Sequence, residues 1–178
     1  MRIFIGIPLS DKLKEFIIRI QRELEDNCKK GRFTKIENIH ITLNFIGELS
    51  ENKVQEIEKI INKIVGELNE FYIVVKGIGV FENNNKRLYF AKVQNNEQLI
   101  SLQMQLSNEL SKIGLYPERR AYKPHLTLGR NVELVSGYDT EYMEENYFQE
   151  ELKEVTIFES VFLKNGVEYT EIFTQRLR

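Results

Sequence analysis

Apolar residues recur along this chain with two different periods. Leu13, Phe16, Ile17, Ile20 and Leu24 keep the three-and-four spacing of one helix face. So do Val54, Ile57, Ile60, Ile61 and Ile64, and then Leu99, Leu102, Leu106, Leu110 and Ile113. Three amphipathic helices are predicted. Ser10 is placed to cap the first and Ser50 to open the second. The third runs from about Asn96 to a stop at Gly114, and Lys29, Lys30 and Gly31 are expected to end the first. Residues 2–8, 39–46, 71–80, 87–93 and 125–129 alternate or run apolar in the manner of strands, with a further short strand expected at 33–36. Residues 132–150 are acidic and aromatic without a clear period, and read as loop with a helical turn. Two last strands, 151–163 and 167–176, flank Asn165-Gly166, a dipeptide that favours tight hairpin turns.

Elements of both kinds interleave along the chain. In each half a strand and a helix precede a strand bearing the only histidines, His40 and His125, so the pattern suggests a duplicated, pseudo-symmetric αβ unit. The 178 residues suffice for one domain of two intimately packed lobes, 1–178.

Composition narrows the chemistry. A hydrophobic content of 42% with 29% charged residues is that of an ordinary soluble domain. The net charge of −2 means that any nucleic-acid affinity must come from a local patch. No apolar run approaches the ~20 residues of a membrane span, and residues 1–9 read as a strand rather than a secretory leader. A cytoplasmic location without membrane or protein partner is the expectation. Cys28 is the only cysteine, which excludes an internal disulfide and a cysteine-based zinc cluster, and it lies far in sequence from either histidine.

The two histidines stand in His40-Ile41-Thr42-Leu43 and His125-Leu126-Thr127-Leu128. In a strand, residues i and i+2 share one face, so each stretch presents an imidazole and a hydroxyl together, with its aliphatic residues toward the core. Side by side, the two strands would cradle a phosphate between two acid/base groups. Cleavage of a phosphodiester by in-line attack needs a base for the incoming oxygen and an acid for the leaving one. Two imidazoles serve both needs near neutral pH. The threonine hydroxyls would donate to the non-bridging oxygens. This chemistry calls for no metal or other cofactor, and two histidines without a carboxylate in either motif supply too few ligands for most zinc sites. Single histidines on strands are commonly structural; two copies of one motif using every histidine are not easily accidental.

Arg119, Arg120, Lys123 and Arg130 bracket the second motif and are candidates to bind phosphate, although any of them alone is more often a solvated surface charge, and Arg130 has a structural ion pair as a further alternative. Arg130 comes three residues after Thr127, so it faces away from the histidine unless the strand ends or bulges there. Tyr122, Phe45, Phe81 and Tyr89 are candidates for stacking on a base, with core packing as the alternative for each.

These blocks resemble the two-histidine phosphoesterase superfamily, and within it the bacterial and archaeal RNA 2′,3′-cyclic phosphodiesterases, also called 2′-5′ RNA ligases. The likeness extends over residues 1–8, 38–48, 77–81 with Arg87, 123–130, 158–160 and 166–169. Phe33 and Tyr89 stand where that family frequently has tryptophan, and Glu82 where it has proline. The resemblance implies a bilobal α+β fold with two antiparallel sheets lining a central cleft and helices outside. It implies hydrolysis of a terminal 2′,3′-cyclic phosphate on RNA, an oligonucleotide or a nucleoside to a 2′-phosphomonoester. His40 would be proton donor and His125 proton acceptor, with Thr42 and Thr127 holding the phosphate. Two alternatives remain open: joining of cyclic-phosphate and 5′-hydroxyl ends, and binding of RNA ends without turnover.

Overall fold

The computed structural model describes residues 1–84, 86–117, 121–140, 145–164 and 166–178. In chain order the elements are β1 (Arg2–Ile7), α1 (Asp11–Asp26), β2 (Cys28–Phe33), a 3-10 turn (Ile36–Asn38), β3 (Ile41–Glu48), α2 (Glu51–Val65), β4 (Phe71–Asn83) and β5 (Lys86–Val93). There follow α3 (Glu97–Lys112), β6 (His125–Leu134), β7 (Tyr147–Leu152), β8 (Glu154–Leu163) and β9 (Gly166–Arg176).

The helices form where the apolar stripes predict. The Ser10 hydroxyl accepts from the Leu13 amide (3.1 Å), and the Asn96 side chain caps α3 in the same way through the Leu99 amide (2.8 Å). Ser10 is itself held by the buried carboxylate of Glu150, which accepts from its amide (3.0 Å) and its hydroxyl (2.8 Å). Gly114 follows α3 at φ +80°, a conformation that glycine adopts without the Cβ penalty.

All strands pair antiparallel in one nine-stranded sheet of order β7-β4-β5-β6-β3-β1-β8-β9, with β2 added on β6. The two expected sheets are the halves of this one, β6-β5-β4-β7 and β3-β1-β8-β9. They meet through the single pair Ile41↔Leu126. The repeat is interlocked. β1-α1-β3 and β5-α3-β6 are the matching units, but β4, which follows α2, joins the half-sheet of β5, and β8 joins that of β1. Ile41, Leu43, Leu126 and Leu128 point into one core with the inner faces of the helices, including Leu13, Ile57 and Leu102. The histidine face is left toward solvent.

Two segments differ from expectation. α1 ends at Asp26, and Cys28–Phe33 is a strand on β6, not the end of a helix followed by a strand at 33–36. Its sequence, Cys-Lys-Lys-Gly-Arg-Phe, has no apolar alternation, because an exposed edge strand takes its geometry from its partner rather than from burial. Residues 132–150 are not simply loop: β6 continues to Leu134, and β7 begins at Tyr147 on the edge of β4. The Gly166 end of the final hairpin is seen at φ +131°, whereas Asn165 lies outside the described residues.

Candidate active site

His40 immediately precedes β3 and His125 begins β6, the two strands at the centre of the sheet. Both rings are fixed in the same way. The His40 Nδ1 lies 2.8 Å from the Asn38 carbonyl, and the His125 Nδ1 lies 2.7 Å from the Lys123 carbonyl. Each acceptor is two residues upstream. A carbonyl oxygen only accepts, so Nδ1 carries the proton in both rings, and Nε2 is the basic nitrogen of the neutral imidazole. For His40 that nitrogen takes a hydrogen bond from the Thr42 hydroxyl (2.9 Å), as expected of residues i and i+2. The turn before His40 is anchored in turn, since the Asn38 amide donates to the Val167 carbonyl of β9 (2.7 Å).

Aromatic rings back both imidazoles. Phe4 and Phe158, on β1 and β8, stack on each other (5.0 Å, 14°), and the His40 ring lies 4.5 Å from Phe4. Tyr169 meets His40 edge-on at 5.1 Å. Across the site Phe81 and Phe90, on β4 and β5, form a second stacked pair (4.3 Å, 24°) with His125 edge-on to both. Gly79 makes this possible, because a Cβ there would stand 2.3 Å from the Phe90 ring. Gly6 does the same for the first ring: its Cβ would lie 2.9 Å from the Ile41 carbonyl and 3.4 Å from the His40 ring.

The surroundings hold both imidazoles neutral. Burial lowers the His40 pKa to about 4, against the opposing pull of the Asn38 carbonyl, and the positive charges of His125 and Arg130 add to the fall. His125 is also lowered by burial, with Arg130 adding to the effect and the Lys123 carbonyl opposing it.

Arg130 acts on both rings because β6 bulges. On β5, Phe90 faces Thr127, Tyr89 faces Gly129 and Leu88 faces Arg130, which leaves Leu128 as an extra residue. The inserted residue moves Arg130 onto the histidine face. β3 repeats the device: Gly6 faces Thr42 and Ile5 faces Asn44, with Leu43 extra. Phe45, five residues after His40, thereby matches Arg130, five residues after His125. Phe45 is 61% exposed and lies 5.9 Å from Phe4.

The other candidates separate. Thr127 is half-buried on β6, two residues from His125. Lys123 contributes its carbonyl, while its side chain is exposed. The Tyr122 ring does not stand clear for a base; it packs against the core, with its hydroxyl buried and without a hydrogen-bond partner among the described residues. Tyr89 likewise packs against the core, and Phe81 remains beside His125. Arg119 and Arg120 lie outside the described residues. Cys28 stays with β2, its thiol donating to the Lys30 carbonyl. Sequence reasoning missed Phe4, Phe90, Phe158 and Tyr169 as walls of the site, and the i−2 carbonyls. Alternation along β1, which sets Phe4 apart from Ile3 and Ile5, is the one available signal for the first. Among the described residues no three histidine, cysteine or acidic side chains gather to hold a metal, and no helix is long and apolar enough to cross a membrane.

Two imidazoles with their basic nitrogens on one face, two hydroxyls and a shared guanidinium define a phosphoesterase of the two-histidine class. The sequence profile of the LigT-like phosphoesterases matches residues 7–89 and 92–169, and the chain belongs to that family of enzymes. It is 30% identical to the RNA 2′,3′-cyclic phosphodiesterase of Methanocaldococcus jannaschii, covering 97% of this chain and 98% of that protein. It is 36% identical over 131 residues to the enzyme of the same name from Methanothermobacter thermautotrophicus, covering 73% and 71%. The fold matches a crystal structure from Thermus thermophilus (TM-score 0.83, 18% identity, 100% and 98% covered). It also matches Escherichia coli LigT in apo form (TM-score 0.80, 22% identity, 99% and 96% covered).

Proposed function

We propose that this enzyme hydrolyses the 2′,3′-cyclic phosphate at an RNA end to a 2′-phosphomonoester, with His40 and His125 as its acid/base pair and no metal in the reaction. The observation that carries this reading is the matched pinning of both rings: Nδ1 bound to the i−2 carbonyl in each leaves Nε2 as the proton-transferring nitrogen. His125 Nε2 takes the proton from water as its oxygen attacks phosphorus. His40, as imidazolium, protonates the departing 3′ oxygen through Nε2. The bond from phosphorus to the 3′ oxygen breaks as the new one forms, and the two rings have then exchanged protonation states. Thr42 turns its hydroxyl from His40 Nε2 to a phosphoryl oxygen, Thr127 supplies a second donor, and Arg130 carries charge to the phosphate.

Supplying a proton requires charging a buried imidazole. The bound phosphate anion does this by offsetting the burial that keeps His40 neutral in the free enzyme. The test is turnover, in EDTA, of an RNA oligomer ending in a 2′,3′-cyclic phosphate, with phosphorus NMR to identify the product. A 2′-phosphate from the wild type, absent from His40→Ala and His125→Ala, is expected. A 3′-phosphate would show the cyclic ester bound the other way round. Undiminished binding without turnover would leave an RNA-end binder.

A further inference from the structure

β6 changes neighbours at the point where it bulges. At Leu126 it pairs with β3, and from Gly129 onward with β2. Leu128, the residue inserted opposite β5, lies in the gap between those two ladders. Its carbonyl accepts from the Thr34 amide (2.8 Å), where the chain leaves β2, and from the side-chain amide of Gln21 on α1 (2.9 Å). The same Gln21 nitrogen donates to the Thr34 carbonyl (2.7 Å). Carbonyl oxygens only accept, so the orientation of the amide is fixed and both of its N–H bonds are used.

Gln21 is an exception on its helix, because the other buried residues of α1 are all apolar. What the amide adds, and an aliphatic residue would not, is a grip on two carbonyls of the sheet. α3 carries a counterpart. Gln21 is the eleventh residue of α1 and Ser107 the eleventh of α3, each helix having 16 residues. The Ser107 hydroxyl accepts from the buried amide of Asn44 (2.7 Å), next to Leu43, the residue inserted in β3. Each helix therefore sets a polar side chain, at the same position, beneath the bulge in the other repeat's histidine strand.

The face of Arg130 depends on what holds this bulge. Moving an inserted residue by one position turns the side chains beyond it to the other face. The strand around Arg130 has little regular ladder to resist such a slip. A Cβ on Gly129 would stand 2.8 Å from Val132, Asn131 takes φ +54°, and the register with β2 shifts between Lys30 and Arg32.

We infer that Gln21 is a positioning residue for the reaction: by holding the Leu128 carbonyl from the helix side, it keeps the β6 bulge in register and the Arg130 guanidinium on the histidine face. This rests on the phosphate-binding part given to Arg130 in the function proposed above.

The experiment compares Gln21→Met, Arg130→Gln and the double variant with the wild type. Methionine keeps the length and the helix propensity but removes both donors. Ile17→Val, a buried apolar change on the same helix, controls for stability alone. The readouts are proton NMR titration of the two imidazoles in the free enzyme and KM for uridine 2′,3′-cyclic phosphate. Gln21→Met should raise KM about fivefold, the scale of one hydrogen bond, with kcat changed less. It should move both titrations to higher pH, as Arg130→Gln does, since the Arg130 charge adds to burial in lowering both imidazoles. In the Arg130→Gln background it should change neither readout further. Ile17→Val should lower Tm and leave both readouts at wild-type values. Should Gln21→Met not fold, Gln21→Asn, whose shorter amide reaches at most one of the two carbonyls, carries the same comparison. A lowered Tm with unchanged titrations and KM would make Gln21 a purely structural residue and overturn the inference. So would effects that add in full to those of Arg130→Gln, or the same shifts in Ile17→Val. A wild type that turns over no cyclic phosphate would instead overturn the proposed function, while the titrations, which need no substrate, would still decide the part of Gln21.

Discussion

His40 lies against the face of Phe4 at 4.5 Å and 30°, with Phe158 and Tyr169 closing round it, whereas His125 meets Phe81 and Phe90 edge-on at 5.3 and 5.2 Å. The two strands carry the same four-residue pattern, the same i−2 carbonyl and the same inserted leucine. Their differences lie in what the neighbouring strands bring. At the position five residues past the histidine, the first half presents the exposed ring of Phe45 and the second the guanidinium of Arg130. His40 has an apolar wall and an Nε2 already bonded to the Thr42 hydroxyl, and in the proposed mechanism it is the donor that a bound anion must first charge. The His125 ring is fixed through Nδ1 on the Lys123 carbonyl, feels the same Arg130 charge as His40, and is the acceptor in the proposed mechanism. The same local motif thus stands in two different surroundings.

The largest way to break the comparison is to remove its cation. Arg130→Gln should raise KM for the cyclic phosphate by ~10-fold or more, the scale of a hydrogen bond to a charged group. Because Arg130 lowers both imidazoles, the same change should move both histidine pKa values upward. Phe45→Ala, at the matching position, should cost less and should leave both titrations where they were. With only two histidines in the chain, proton NMR of the imidazole signals reads this directly.

The same spectra sharpen the inequality. Both rings should titrate below the ordinary value of 6.5, His40 near 4, and inorganic phosphate should raise them. The sign for folding follows. The unfolded chain binds the His40 proton near 6.5 and the native chain only near 4, so this group's contribution to stability is lost as pH falls through that window and is intact above it. Urea midpoints measured across that range should fall more steeply for the wild type than for His40→Asn. For catalysis, kcat/KM reports the free enzyme and should peak on the acid side of neutrality. The kcat profile should peak at higher pH, because bound phosphate favours the imidazolium.

The smallest expected effect is at the wall. Gly79→Ala puts a methyl where the Phe90 ring now lies, and overpacking of this kind costs ~1–3 kcal/mol. Its thermal midpoint should drop, and the His125 signal should shift while the His40 signal stays.

Much of this site was legible in the sequence, for a physical reason. Period-2 alternation places His40 with Thr42 and His125 with Thr127 whatever the rest of the chain does, and the helical stripes fix the three helices. The face of Arg130 was not legible, because it depends on Leu128 being inserted opposite β5, and a bulge is a property of the strand pair. The strand Cys28–Phe33 was hidden for the same reason, having only β6 to define it. Tyr122 shows the converse: its place before His125 suggested a stacking ring, but proximity in sequence does not decide which side of the sheet a ring packs against.

The central claim, that His40 gives the proton and His125 takes it, is tested most directly by changing the leaving group. A 3′-deoxynucleoside 2′-(4-nitrophenyl phosphate) places nitrophenolate, which departs without protonation, where the 3′ oxygen would leave. On the cyclic phosphate, His40→Ala and His125→Ala should each lose about 10²–10⁴-fold in kcat. On the nitrophenyl ester, His40→Ala should recover most of its loss and His125→Ala should recover none. Recovery in His125→Ala instead would reverse the two roles, and equal losses on both substrates would contradict the division of labour between the two rings.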